Sequence, residues 1–296
     1  MELYYNKDKL VRGDFIKRAI LRTDLAPVPV TLEATIRVDS DSKQHFVVGS
    51  IVNTYSGYEL EIIKSKSGGS GNVQGGQEAE FTTFIAVLRS VREIAYVKTK
   101  AIIKANASLS EVYRSTGARL KGIQGDFPVP RFVCLAGEVP TYHIARALQE
   151  GGGVVRWRNG RLEFITLRGL FSQSPVTTIS GATEDVQSGF LERHEIPFFY
   201  SLDADGAFVY GNRAKERAAR FQPGVAEVAL RNMTSCLVLT KTAQVKYNEK
   251  LAAGDIVEIP GSEPLVIMTG ATLFAAGTDG DPPEQSTKLW LGRLES

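Results

Sequence analysis

The stretch that decides the fold is FVCLAGEVPTYHIARALQEGGGVVRWRNGRLEFITLRGLF, which spans Phe132–Phe171. Its apolar start predicts a buried strand, and Pro140 then occupies a first helical turn, where a missing backbone N–H is tolerated. Three residues follow at helical spacing: Tyr142, Ala145 and Leu148. Gly151–Gly153 ends the helix, since glycine is common just beyond a helix C-terminus.

The second half of this stretch predicts a β-hairpin. Two segments with alternating apolar residues flank Asn159 and Gly160. Both residues accept the positive φ angles of a type I′ turn, whose twist matches that of the strands it joins. The strand, helix and hairpin therefore predict a compact α+β unit, and it contains no catalytic constellation.

Strand patterns precede this unit. Apolar and polar residues alternate over residues 28–52, most strictly at Val30, Leu32, Ala34, Ile36 and Val38. Period-two alternation predicts a strand with one face in a core and the other in water. Residues 58–66 continue the pattern. In residues 80–105 the β-branched and aromatic content favours strands, although AVLRSVREI (86–94) is also compatible with a helix.

Two shorter signals lie between these strands and the unit. The glycine-rich segment Ser67–Gln77 predicts an exposed loop, and it lacks the Lys-Ser/Thr pair of a phosphate-binding loop. Ser108 and Glu111 form a capping-box pattern, which predicts a short helix that ends near Gly117. One face of this helix carries Leu109, Val112 and Tyr113.

The chain after Phe171 predicts a second β-rich region. Residues 196–211 predict a hairpin around Asp205 and Gly206, and AKERAARF (214–221) is the only later stretch with helical composition. Five segments predict short strands: VALRNM, SCLVLT, DIVEIP, PLVIMTGATLF and TKLWLG. Their regular spacing indicates a small barrel or sandwich.

Together these patterns predict an α+β, mainly β fold, with two β-barrel-like or sandwich domains and the small strand-helix-hairpin unit between them. The predicted N-terminal β-rich domain covers residues 1–104. The α+β unit covers 105–171, with a linker near 122–131 that is rich in glycine and proline. The predicted C-terminal β-rich domain covers 172–296.

Composition excludes several function classes. With 35 basic and 33 acidic residues the formal net charge is +2, so specific nucleic-acid binding is not expected. No apolar run reaches the ~18–20 residues of a membrane-spanning helix. The first residues, MELYYNKDKLVRGD, lack the apolar core of a signal peptide, so we expect synthesis in the cytoplasm.

Few residues are candidates for catalysis or metal binding. Cys134 and Cys236 each lie in an apolar run, which predicts two buried structural residues. The histidines are His45, His143 and His194. His143 is expected to be structural, and no second histidine follows His194 at the spacing of a zinc protease. We therefore predict no metal, no cofactor and no catalytic residue.

Acidic residues give no clear site either. Asp203 and Asp205 resemble the start of a calcium loop, but the distal ligands are missing, so a hairpin turn is the better interpretation. A glycosidase would need two carboxylates ~5–10 Å apart. The densest acidic spots, Glu184–Asp185 and Glu192–Glu195, are interpreted as solvated charges.

Within Phe132–Phe171, the segments FVCL, PTYHIARALQEGGGVV and NGRLEFITLRGLF resemble the central baseplate hub proteins of contractile-tailed bacteriophages and related injection machines. In that family, β-barrel-like domains of three chains form a ring on the tail axis. The resemblance implies a homotrimer whose barrels come from residues up to about Lys104 and after about Ser172. It also implies a structural, non-enzymatic hub in the tail baseplate of the virion, assembled in the host cytoplasm.

The expected partners are other copies of this chain, the spike protein, and tail tube or adaptor proteins. Some hubs are fused to a spike or a lysozyme, and no segment here corresponds to either, so a separate spike is expected. The alternative is another baseplate or tail protein, such as a wedge, a tube-initiating adaptor or a host-surface binding module. A cell-wall hydrolase is the least favoured function.

Overall fold

The structure is a computed structural model that describes residues 1–72, 78–181, 183–186, 197–213, 217–277 and 282–295. It is mainly β, with 48% of the described residues in strands and 16% in helices. This content confirms the predicted fold class. Within the described ranges, no helix combines the length and the apolar character needed to cross a bilayer.

The elements of the described residues follow in chain order. The strands are β1 (Leu3–Tyr5), β2 (Lys9–Leu10), β3 (Ile16–Asp24), β4 (Val30–Val38), β5 (Ile51–Thr54), β6 (Glu59–Asn72), β7 (Glu78–Leu88), β8 (Ile102–Ser108), β9 (Pro128–Cys134), β10 (Gly153–Arg158), β11 (Arg161–Thr166), β12 (Thr177–Thr178), β13 (Thr183–Asp185), β14 (Phe198–Leu202), β15 (Phe208–Tyr210), β16 (Ala219–Phe221), β17 (Cys236–Lys246), β18 (Ile256–Glu258), β19 (Leu265–Ala275) and β20 (Glu284–Glu295). The helices are α1 (Leu109–Ser115), α2 (Pro140–Glu150), α3 (Leu167–Phe171) and α4 (Glu227–Met233).

Thirteen of these strands form one sheet that contains both ends of the chain. Its order is β13-β17-β20-β19-β3-β4-β7-β6-β5-β1-β2, and β18 and β12 branch from β19. The link between the two ends is the antiparallel pairing of β3 with β19, from Asp24 opposite Thr269 to Ala19 opposite Phe274. The two β-rich regions are therefore continuous, and their described strands close no barrel. The predicted boundaries at residues 104 and 171 stay predictions.

Strand β4 lies at the centre of the N-terminal part of the sheet. Its buried residues are Val30, Leu32, Ala34, Ile36 and Val38, and the residues between them are more exposed, which confirms the predicted alternation. β4 pairs with β3 on one side and β7 on the other. The Tyr113 hydroxyl of α1 donates to the Pro27 carbonyl just before β4 (3.2 Å), so this helix is held against the same core.

Helix α1 has the predicted capping box. The Glu111 backbone N–H donates to the Ser108 hydroxyl (3.2 Å), and the Ser108 N–H donates to the Glu111 carboxylate (2.8 Å). Two N–H groups that have no partner inside the helix are satisfied in this way. The predicted face is buried at Leu109, Val112 and Tyr113. Gly117 follows the helix with a φ of 101°, a conformation that favours glycine.

The α+β unit has the predicted order of strand, helix and hairpin. β9 leads into α2, and β10 pairs with β11 around Asn159 and Gly160, whose φ angles are 49° and 75°. These values are those of a type I′ turn. β9 also pairs with β8 and begins at Pro128, so part of the predicted linker near 122–131 is strand.

The buried face of α2 differs from the predicted spacing. Ile144, Ala147 and Leu148 are buried, whereas Tyr142 is 73% exposed and Ala145 is also exposed. The branched aliphatic side chains bury all their surface against β9 and β10, and the tyrosine keeps its hydroxyl in water. The helix is therefore rotated relative to the sequence-based expectation.

The structure contradicts part of the predicted glycine-rich loop. β6 continues through Asn72, so Ser67–Asn72 is strand rather than the predicted loop, and residues 73–77 lie outside the described residues. Backbone pairing with β7 needs no side chains, and a register shift between Ser67 and Ser70 accommodates Gly68 at a φ of 126°. Residues 86–94 are strand only as far as Leu88, and a 3₁₀ helix then covers Arg89–Ala95.

The C-terminal region contains two departures from the predicted elements. VALRNM, predicted as a strand, belongs to helix α4, because Leu230 and Met233 bury one face and Glu227 pairs with Arg231 one turn later. In AKERAARF, predicted as helical, Ala219–Phe221 is strand β16, which pairs in parallel with β14. The other four predicted strands and the β14–β15 hairpin are confirmed.

Replacing Ile144 with Ala should destabilise the fold strongly. Ile144 is fully buried, and truncation of such a side chain costs about 2–5 kcal/mol because a cavity remains. Tyr142→Ala is the matched control on the same helix, with an expected change of about 0.5 kcal/mol or less. Urea denaturation measures both values, and equal losses would contradict the buried face described above.

Replacing Ser108 with Ala should lower the free energy of unfolding by about 1 kcal/mol, because one capping hydrogen bond of α1 is lost. Ser115→Ala is the control at the other end of the helix, where the hydroxyl donates to the Val112 carbonyl of its own helix (2.9 Å). Thermal denaturation compares the two variants. An effect at Ser115 as large as that at Ser108 would argue against the capping role.

Candidate functional site

The end of β9 and the start of α2 bring together three side chains with metal-ligand chemistry. Ligand atoms of Cys134, Glu138 and His143 all lie within 4.8 Å of one another. His143 Nε2 lies 2.9 Å from a Glu138 carboxylate oxygen, and the Leu135 N–H donates to the same oxygen (2.6 Å). We refer to Cys134, Glu138 and His143 as the β9–α2 cluster.

The β9–α2 cluster is buried at one end and open at the other. Cys134 is fully buried, as predicted, and burial followed by the Glu138 charge raises the pKa of its thiol. The side chains of His143 and Glu138 are 20% and 41% exposed. The arrangement was not predicted, because the segment lacks a two-histidine zinc pattern. Its signal in the sequence is three ligand types within ten residues, spaced Cys-x3-Glu-x4-His.

The remaining cysteine and histidines lie apart from this cluster. Cys236 is half-buried at the first position of β17, which corrects the prediction of a buried residue. The His45 ring lies 5.3 Å from the ring of Tyr5, so it packs as an aromatic side chain. His194 lies outside the described residues.

The acidic residues considered from the sequence have local structural partners. The Asp203 carboxylate accepts the backbone N–H groups of Asp205 (3.0 Å) and Ala207 (2.8 Å), which favours the turn interpretation over a calcium loop. Asp185 pairs with Lys241 across β13 and β17. Glu192–Glu195 lies outside the described residues.

The buried side chain of Arg156 connects the β10–β11 hairpin to the C-terminal region. Arg156 of β10 donates to the Glu163 carboxylate, to the Gln173 side chain and to the Gly254 carbonyl, each at 2.8 Å. A Cβ at Gly254 would lie 2.7 Å from Arg156 Cδ, so glycine is required for this close approach. Nearby, Arg158 pairs with the buried Asp255. These charged groups therefore stabilise the junction between the α+β unit and the C-terminal strands.

A cleft between elements of the α+β unit and α4 has a volume of about 610 Å³. Its walls come from β9, α2, α4 and the residues that precede α4. The Asn232 amide donates to the Glu150 carbonyl (2.8 Å), and the Gln149 amide donates to the Met233 carbonyl (3.2 Å). These polar groups therefore hold the two helices together along the cleft.

Exposed apolar side chains lie on the two-stranded ribbon of β8 and β9. Ile103 is 65% exposed and pairs in register with the half-buried Val133, and Leu135, which directly follows β9, is 51% exposed. We refer to Ile103, Val133 and Leu135 as the ribbon face. A group of large apolar side chains in water is typical of an interaction surface.

A second apolar group lies on the small sheet of β14, β15 and β16. The Tyr200 ring lies 5.9 Å from Phe208, 6.1 Å from Tyr210 and 5.4 Å from Phe221. Phe208 and Phe221 are exposed. We refer to these four residues as the aromatic group. Like the ribbon face, the aromatic group is suited to contact with another protein and contains no catalytic side chain.

No protein-family model and no curated protein matches the chain, but solved structures do. A tail protein from Neisseria meningitidis MC58 is similar over 99% of this chain and 95% of that chain, with a TM-score of 0.67 and 10% identity. The 43 kDa tail protein of prophage MuSo2 from Shewanella oneidensis is similar over 99% and 97%, with a TM-score of 0.63 and 11% identity.

An Escherichia coli component of the type VI secretion system, itself described as similar to the T4 bacteriophage tail proteins gp27 and gp5, is similar over 100% of this chain and 77% of that chain. The TM-score is 0.60 and the identity 10%. These comparisons confirm, for the fold, the resemblance found in Phe132–Phe171. The chain therefore has the fold of these phage tail and type VI secretion proteins, along its whole length.

Proposed function

We propose that this chain is a structural component of a phage-type tail baseplate, and that it is the central hub joining the tail tube to the spike. The observation that carries the proposal is the likeness to the Neisseria meningitidis tail protein over 99% of this chain and 95% of that one. Likeness over both full lengths favours a shared role over a shared subdomain. The resemblance of Phe132–Phe171 to hub proteins favours the axial position.

The surface supports assembly with other copies and with neighbours. The ribbon face and the aromatic group expose apolar area that contact with another protein would remove from water. A formal net charge of +2 gives little repulsion between identical chains. A homotrimer, with the spike and the tail tube or adaptor proteins as its neighbours in the virion, would use such surfaces. Assembly in the host cytoplasm belongs to the same proposal.

A non-enzymatic role agrees with the way the described carboxylates are used. Glu163 is paired with the buried Arg156, Asp185 with Lys241, and Asp203 with backbone N–H groups of its own turn. A wall hydrolase needs two carboxylates free to reach a glycosidic bond. These groups instead hold elements of the fold together.

The second candidate function is the same hub role in a related injection machine instead of a phage tail. The Escherichia coli type VI secretion component supports it. A chain of the Francisella PdpA-VgrG complex is also similar, over 99% of this chain and 56% of that chain, with a TM-score of 0.54.

The purified protein should form a trimer in solution, alone or after addition of the spike protein from the same particle. Light scattering should then give about three times the chain mass of 32.3 kDa for the protein alone, and this mass plus that of the spike once the spike is bound. An unrelated trimeric spike of similar size is the control, and it should leave the mass unchanged. A stable monomer that ignores its own spike would contradict the hub proposal.

The position in the particle is tested by electron microscopy of purified tails labelled on this chain. Label on the tail axis, at the junction of tube and spike, is the expected result. Label at the periphery would favour a wedge or a host-surface binding module instead. Release of sugars from purified peptidoglycan by the pure chain would contradict the non-enzymatic role.

A further inference from the structure

The β9–α2 cluster joins a buried thiol, an imidazole and a carboxylate at one turn of the chain. We propose that Cys134, Glu138 and His143 bind a zinc ion, with water as the fourth ligand. A zinc site here would correct the sequence-based prediction that the chain binds no metal. It does not depend on the proposed function in a tail.

The distances between the donor atoms fit a small tetrahedral ion. Zinc binds sulfur, nitrogen and oxygen donors at ~2.0–2.3 Å, which places neighbouring donors about 3.3–3.8 Å apart. His143 Nε2 and the Glu138 oxygen are 2.9 Å apart, and every donor pair is within 4.8 Å. A side-chain adjustment of about 1 Å therefore completes the three protein ligands.

The donor types select zinc over the hard cations. Calcium and magnesium prefer ligand sets made entirely of oxygen, whereas a thiolate with an imidazole is a common zinc set. His143 and Glu138 are partly exposed, which leaves a path for the ion and room for a bound water.

Hydrogen bonds account for the positions of the Glu138 and His143 side chains, whereas the Cys134 thiol makes only weak contacts. Cys134 Sγ lies 3.9 Å from the carbonyl oxygens of Leu135 and Glu138, long contacts for a weak S–H donor. The nearby Lys98 ammonium donates to the Glu93 carbonyl (2.7 Å), so it is held by another group. The thiol is therefore available as a ligand.

Zinc binding has to release the thiol proton, since only the thiolate is a ligand. A free cysteine is mostly a protonated thiol at neutral pH. The zinc affinity should therefore increase with increasing pH, with release of protons that calorimetry in two buffers can count.

The ion would add a cross-link to a turn that backbone hydrogen bonds already hold. The Gly137 N–H donates to the Lys98 carbonyl (2.8 Å), and the Lys98 N–H donates to the Glu138 carbonyl (2.9 Å). A ligand that binds the folded chain raises its melting temperature. Zinc should therefore stabilise the connection of β9 to α2.

The test uses tag-free, full-length protein stripped of metal, titrated with zinc against a chromophoric chelator. We expect one zinc per chain and a higher melting temperature with zinc. Cobalt in place of zinc should give the absorption band of a thiolate–cobalt bond. Cys134→Ser and His143→Gln should each lower the zinc affinity by at least about 100-fold and abolish the thermal shift.

Cys236→Ser and His45→Gln are the matched controls, since both residues lie outside the cluster, and they should bind zinc like the unsubstituted chain. Circular dichroism establishes that each variant is folded before titration. Absence of zinc binding by the folded, unsubstituted chain would overturn the proposal. So would full affinity in Cys134→Ser or His143→Gln, or a loss of binding in Cys236→Ser.

Discussion

The antiparallel pairing of β3 with β19 is the constraint on which the rest of the structure depends. It joins residues near the two ends of the chain, from Asp24 opposite Thr269 to Ala19 opposite Phe274. Closure of so long a loop costs entropy, although this cost grows only slowly with loop length. The pairing joins the strands of the two β-rich regions in one sheet.

The α+β unit is attached to this sheet by polar contacts that leave little freedom. Arg156 is buried, so its charge is stable there only with the carboxylate and carbonyl partners it has. Those partners come from the hairpin itself and from the loop before β18. Hydrogen bonds between α2 and α4 attach the unit to the helix that packs on the small sheet of β14 and β15. The unit and the sheet therefore present their exposed faces in a fixed relation.

Local signals in the sequence predicted local structure well. The Asn159-Gly160 turn, the Ser108 cap and the alternation in β4 each depend on residues close in sequence. The rotation of α2 and the helix at Glu227–Met233 were missed, because packing partners from other elements decide which face is buried. The β3–β19 pairing has no local signal. The spacing of Cys134, Glu138 and His143 is visible in the sequence, whereas the distances between their ligand atoms depend on the turn that contains Gly137, at a φ of 87°.

The ends of the large sheet bear on how copies of the chain can associate. The outermost described strands, β2 and β13, have two and three residues. A very short outermost strand is one of the ways in which proteins limit the addition of another strand at a sheet edge. Association through side-chain faces closes with a fixed number of copies when the faces are related by rotation. The exposed apolar residues of the ribbon face and the aromatic group are side-chain faces of this kind, and the rotation that relates neighbouring copies decides whether they form a closed ring or an open filament.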